Sequence, residues 1–188
     1  MTAIARGLVF LSRCSAALAS RLRNFYYRSL GVEIAGYAWL RRIDIPRNHS
    51  RIFLANGVAL DEGVILLVSG NEGPEKKIAI GENTYINRNT FIDASEQIRI
   101  GRGVGIGPRC YITDHDHGME PNRPIMDQPL VSSPTSISDG VWLGAGCIVL
   151  KGVTIGKNTV VGAGSIVVRD LPADIIAEGR PARAVRKR

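Results

Sequence analysis

The sequence predicts an all-β protein wound as a three-sided parallel coil, and three observations carry that expectation. From Ile137 an aliphatic residue returns at every sixth position, through Leu143, Val149, Ile155, Val161 and Val167. A small or β-branched residue stands four places after each anchor through Val161, at Val141, Cys147, Val153, Thr159 and Ser165. The 188 residues also include 21 glycines but only four Phe, five Tyr and two Trp, which suits a narrow interior with many tight corners. Neither a helix nor an alternating strand repeats at six. Three flat faces of six residues do: the anchor points to the axis, glycine or asparagine takes the corner, and about eighteen residues close one turn. Stacked turns then satisfy each other's backbone groups about 4.8 Å apart.

Residues 1–31 are expected to form an amphipathic helix. Leu8, Leu11, Leu18, Leu22 and Phe25 recur at helical steps, Arg6, Arg13, Arg21 and Arg28 fall on other faces, and Gly31 is a natural C-cap. A secretory leader is the rival, but Arg13 cuts the apolar stretch too early for one. The helix packs on the body or a neighbouring subunit, or lies on a membrane surface with arginines toward lipid phosphates. The coil is expected over residues 50–172. Leu54, Leu60 and Leu66 keep the step, as do Ile80, Ile86 and Ile92, then Ile100, Ile106 and Ile112 after a two-residue slip near Ala94 and Ser95. Residues 69–77 are polar and read as an excursion. A longer break, residues 113–136, gathers Pro121, Pro124, Pro129 and Pro134 and opens Thr113-Asp114-His115-Asp116-His117. A proline-fixed loop projecting from a rigid column is where function is expected. Residues 173–188 read as a basic tail.

Charge and cysteine content narrow the function classes. The net charge is +7, from 24 Lys and Arg against 17 Asp and Glu, and the bases crowd both ends of the chain. No aromatic-interleaved basic motif is present, which argues against nucleic acid as a partner. No apolar run approaches the roughly 18 residues of a spanning helix. Three cysteines do not make a disulfide framework, so a reducing compartment is expected, and Cys110 and Cys147 read as buried fillers.

Residues 137–186 hold Gly140-Val141-Trp142-Leu143-Gly144-Ala145-Gly146, Gly152-Val153-Thr154-Ile155-Gly156, Gly162-Ala163-Gly164-Ser165 and Gly179-Arg180-Pro181-Ala182-Arg183. With the histidine-bearing loop, these motifs resemble the hexapeptide-repeat acyltransferases over residues 50–186. The similar branch holds the maltose, galactoside and nodulation-factor O-acetyltransferases and the acetyltransferases of exopolysaccharide and lipopolysaccharide synthesis. The resemblance implies a left-handed parallel β-helix and a homotrimer with active sites between columns. It also implies acetyl-CoA as cosubstrate without a metal, and a sugar acceptor.

By family position His117 is the expected catalytic base, with His115, two residues earlier, as its competitor. An imidazole with pKa near about 6.5 suits removal of a hydroxyl proton during direct attack on a thioester. The backbone N–H of Ala145 would meet the oxyanion, without the hydroxyl that some relatives carry there. Asp114 or Asp116 would orient the imidazole, or a backbone carbonyl would serve equally. Asn87 and Asp93 match acceptor-contacting positions, with a plain corner role the alternative for Asn87, and Trp142 would shape the site wall. Ala163 and Val168 would line the pantetheine and adenine groove, and Arg180, Arg183 and Arg186 would meet the phosphates of coenzyme A. N-acetylation of an amino sugar is the main rival. A zinc hydratase on this fold would need a third histidine beside His115 and His117, and His49 lies before the regular coils; a non-catalytic scaffold is the remaining alternative. The implied setting is the cytoplasm, peripheral to an inner membrane.

Overall fold

A computed structural model describes residues 3–69 and 75–188, with the backbone alone for residues 3–13. Three sheets of six, eight and five strands, parallel except for the last strand of the eight, face one another around a single axis, and a two-stranded hairpin stands apart from them. Successive passes over the first face are Glu33–Ile34, Ile52–Leu54, Ile78–Ile80, Ile98–Ile100, Thr135–Ile137 and Thr154–Ile155. The second face takes Trp39–Leu40, Ala59–Leu60, Tyr85–Ile86, Gly105–Ile106, Trp142–Leu143 and Val160–Val161. The third takes Ile65–Val68, Phe91–Ala94, Tyr111–Thr113, Ile148–Val149 and Ile166–Val167.

The six-residue grid is the packing of this column. Every anchor from Leu54 to Val167 is at most 3% exposed, and the companion positions, Cys110 and Cys147 included, are buried with them. Stacking is in register, so Ile86 lies against Ile106, and Ile106 against Leu143. Asparagine and glycine take the corners: Asn83, Asn89 and Asn158 have φ of 55 to 58°, and Gly57, Gly63 and Gly140 have 68 to 76°. At Gly144 the demand is close approach, because a Cβ there would stand 2.5 Å from the backbone nitrogen of Ala163 in the next coil. Gly144→Ala is expected to lose about 1–3 kcal/mol, read as a lowered denaturation midpoint with an unchanged far-ultraviolet β signature.

Two boundaries differ from the sequence expectation. The coil starts at Glu33 and not near residue 50, since Glu33–Ile34 and Trp39–Leu40 already pair with the strands of the next turn. Ile34 and Leu40 are its anchors and Ala38 its buried companion; Pro46 breaks the grid at the next step and hid the turn. Residues 173–188 are no loose tail. Strands Ile175–Gly179 and Ala182–Lys187 form an antiparallel hairpin that joins the second face beyond Val160–Val161.

Helix α1 (Ala3–Ser29) packs on the first turn, with its polar side inward over residues 14–29. Ser20 Oγ accepts the Leu40 N–H at 2.9 Å and the Tyr37 hydroxyl at 2.8 Å. Asn24 accepts the Ala38 N–H at 3.1 Å and donates to the Ala38 carbonyl at 2.7 Å. Tyr27 donates to the Ile43 carbonyl at 2.9 Å. These side chains do for the edge strand Trp39–Leu40 what a preceding coil would do. No helix among the described residues is long and apolar enough to cross a membrane.

Candidate active site

The projecting loop leaves the column where the third face would turn into the first. Asp114, fully buried, fixes its exit: the carboxylate accepts the backbone N–H groups of Ser95 at 2.7 Å, Glu96 at 2.8 Å and Gln97 at 2.5 Å. Those three amides belong to the turn where the sequence grid slips by two residues. One carboxylate therefore satisfies an irregular corner and ties the loop to it.

Beyond Asp114, strand His115–His117 pairs antiparallel with Leu130–Ser132. Alternation on a strand puts His115 and His117 on one side and Asp116 on the other. Asp116 accordingly meets Lys151 Nζ at 3.0 Å, and the same ammonium donates to the Val131 carbonyl at 3.0 Å. The buried Gln128 closes the loop on itself, accepting the Glu120 N–H at 2.7 Å and donating to the carbonyls of Glu120 and Arg123 at 3.0 and 2.9 Å.

The two histidines have different surroundings. His115 is nearly buried, with Nδ1 2.9 Å from Asp114 and Nε2 3.8 Å from Asp93. Burial holds the Asp93 carboxyl above the usual carboxylate range, against the pull of His115 and a hydrogen bond from Ser69. His117 is exposed further along the same strand side. Of the two acids expected to orient an imidazole, Asp114 serves His115, while Asp116 is engaged by Lys151.

Three of the remaining residues gather on the edge between the second and third faces. Asn87, Ala145 and Ala163 each follow a second-face strand, so they stack up that edge. Asn87 folds its Oδ1 back onto the Arg88 N–H at 2.8 Å, and Asn89, not Asn87, takes the left-handed corner. Among the described residues the Ala145 N–H has no hydrogen-bond partner, and Ala145 lines a groove of about 420 Å³ with Arg88, Asn89, Pro108 and Arg109. Trp142, exposed on the second face, lies over Gly105, where a Cβ would meet its Cδ1 at 3.3 Å. Arg180 Nε donates to the Gly164 carbonyl at 2.7 Å, beside Ala163. Arg183 and Arg186 stand exposed on the last strand. Val168 instead follows the third face, on the edge that carries Asp93 and the histidines.

One column therefore splits the candidate residues between two edges, with the width of the third face between them. Arg88 and Arg109 were not among the sequence candidates. The signal for Arg88 was the hexad phase, since Arg88, Pro108 and Ala145 occupy equivalent positions after successive second-face strands; Arg109 is one step further, level with Asn89 and Gly146.

Comparison with known proteins bears on this arrangement. The bacterial transferase hexapeptide (six repeats) family model matches residues 134–169. Nodulation protein L of Rhizobium meliloti is 36% identical over 155 residues, covering 80% of this chain and 84% of that protein. The galactoside O-acetyltransferase of Escherichia coli is 36% identical over 110 residues, 58% of this chain and 54% of its own. The chain spans about half the length of this and several other curated relatives. A hexapeptide-repeat acetyltransferase of Vibrio cholerae, solved with acetyl-coenzyme A, superimposes with a TM-score of 0.56 at 33% identity, covering 64% of this chain and 70% of that one. With its three-sided column, its hexad grid and a relative matched over most of both chains, the protein belongs to the hexapeptide-repeat acyltransferase family and has that family's left-handed parallel β-helix.

Proposed function

We propose that the protein transfers the acetyl group of acetyl-CoA to a hydroxyl of a sugar, in the synthesis of a bacterial polysaccharide or lipopolysaccharide, and that it works as a homotrimer in the cytoplasm. The observation that carries this reading is the division of the candidate residues between two edges. His117 stands exposed on a rigid hairpin at one edge; the free N–H of Ala145, with Asn87, Ala163 and Arg180, lies along the other. Packing columns side by side about a threefold axis sets one edge against the other in each cleft. The exposed Met119, Ile125, Met126 and Val131 of the loop give such a contact its apolar part.

In the proposed step the His117 imidazole takes the proton of the acceptor hydroxyl as its oxygen attacks the thioester carbonyl. The oxyanion receives the N–H of Ala145 from the neighbouring column. Collapse breaks the carbon–sulfur bond, and the thiolate leaves with the proton returned by the imidazolium. Arg180, Arg183 and Arg186 hold the phosphates of coenzyme A, Ala163 and Val168 flank its pantetheine arm and adenine, and Asn87, Asp93 and Trp142 border the acceptor. No step needs a metal. One geometric fact favours a second assignment, with His115 as base: Asp114 anchors its Nδ1, so its Nε2 is the proton acceptor.

Free-thiol release from acetyl-CoA, screened over sugar nucleotides and oligosaccharides, tests the proposal. Turnover with hydroxyl-only acceptors is expected. Turnover confined to amino sugars would replace O-acetylation by N-acetylation, and no release with any saccharide would remove the reading.

A further inference from the structure

Over residues 14–29, helix α1 turns its polar side to the first coil and leaves its apolar side in solvent. Leu18, Leu22, Phe25 and Tyr26 are 55–75% exposed and, at about 100° per residue, form one stripe. Arg21 and Arg28 flank that stripe on one side and Arg23 on the other. Among the described residues none of these arginines meets a carboxylate: Arg21 lies over the Tyr37 ring, while Arg23 and Arg28 donate to backbone carbonyls. The helix itself contains no acidic residue. Residues 1–51 hold nine arginines and no lysine against Glu33 and Asp44, so this first quarter carries the whole net charge of +7 and the rest of the chain balances.

We propose that this face of α1 docks on an anionic bilayer surface. The four apolar side chains enter the boundary between headgroups and acyl chains, and the flanking arginines meet lipid phosphates. Charge decides between the two available occupants. A second copy seated on this face would bring the same arginines against one another with no acid on the helix to answer them. A bilayer rich in phosphatidylglycerol answers both the apolar stripe and its cationic borders. The column then stands with its first coil toward the membrane.

Sedimentation of the full chain with vesicles tests this. Vesicles of one part phosphatidylglycerol to three parts phosphatidylcholine are expected to carry the protein down, and vesicles of phosphatidylcholine alone to bind it at least about tenfold more weakly. Binding should fall steeply as salt rises from about 0.05 to about 0.5 M. The double variant Leu22→Glu with Phe25→Glu, at exposed positions, should lose vesicle binding at least about tenfold with its melting temperature and oligomeric mass unchanged. Indifference of the parent protein to anionic vesicles overturns the proposal. So does a change in the variant's oligomeric mass by light scattering, because the stripe would then be a subunit contact.

Discussion

Replacing His117 by alanine is expected to lower the turnover number for acetyl transfer by about 10²- to 10⁴-fold, the usual contribution of a positioned general base. Oligomeric mass and melting temperature should stay at their parent values, because His117 is exposed at the hairpin and makes no hydrogen bond among the described residues. His115→Ala should behave differently. It removes one of the two partners of Asp114 Oδ1, the imidazole at 2.9 Å, and empties a nearly buried position, so it should cost stability as well as some activity. Steady-state kinetics beside thermal melts for both variants separate the roles. Normal turnover in His117→Ala, with loss in His115→Ala, would transfer the base to the Asp114-anchored imidazole.

Asp114→Ala is expected to be the most destabilising single change in the loop. It strips the fully buried acceptor from three backbone N–H groups at 2.5–2.8 Å, one of them buried and two partly so, and frees His115 as well. Each buried donor left unmet costs about 1–3 kcal/mol. A total of at least about 3 kcal/mol corresponds to a fall in melting temperature of roughly 6–12 °C for a chain of this size. Hydrogen exchange at the amides of Ser95, Glu96 and Gln97 should rise with it. A melting temperature within about 2 °C of the parent would mean that the corner holds itself without the carboxylate.

The column was legible because its energetics repeat. Each aliphatic anchor fills the same axial slot, so the period of six in the residues is the period of the packing, and the proline-rich break marked the departing loop. What escaped the reading escaped for physical reasons. The turn beginning at Glu33 holds only the anchors Ile34 and Leu40 before Pro46, too few to register as a repeat. The inner side of α1 reads as a solvated face, because Ser20 and Asn24 serve a strand edge through hydrogen bonds, and residue type does not reveal a partner. Asp114 resembles any loop acid until the slipped turn is seen folded onto it. The candidate site was legible as residue types at family positions. Its division between two edges was not, since it follows from where each hexad stops along the triangular cross-section.

The manner in which the two ends of the column are closed has a further consequence. A stack of parallel rungs is a natural template for indefinite growth, each unfinished rung inviting a stranger's strand. Here Ser20 occupies the Leu40 N–H and Asn24 the bonding groups of Ala38, and the outermost strand at the opposite end of the second face runs antiparallel and is studded with Arg183, Arg186 and Lys187. On the second face neither end offers a sticky, uncharged ledge, and the same two segments that complete its ladder guard that face against fibre formation.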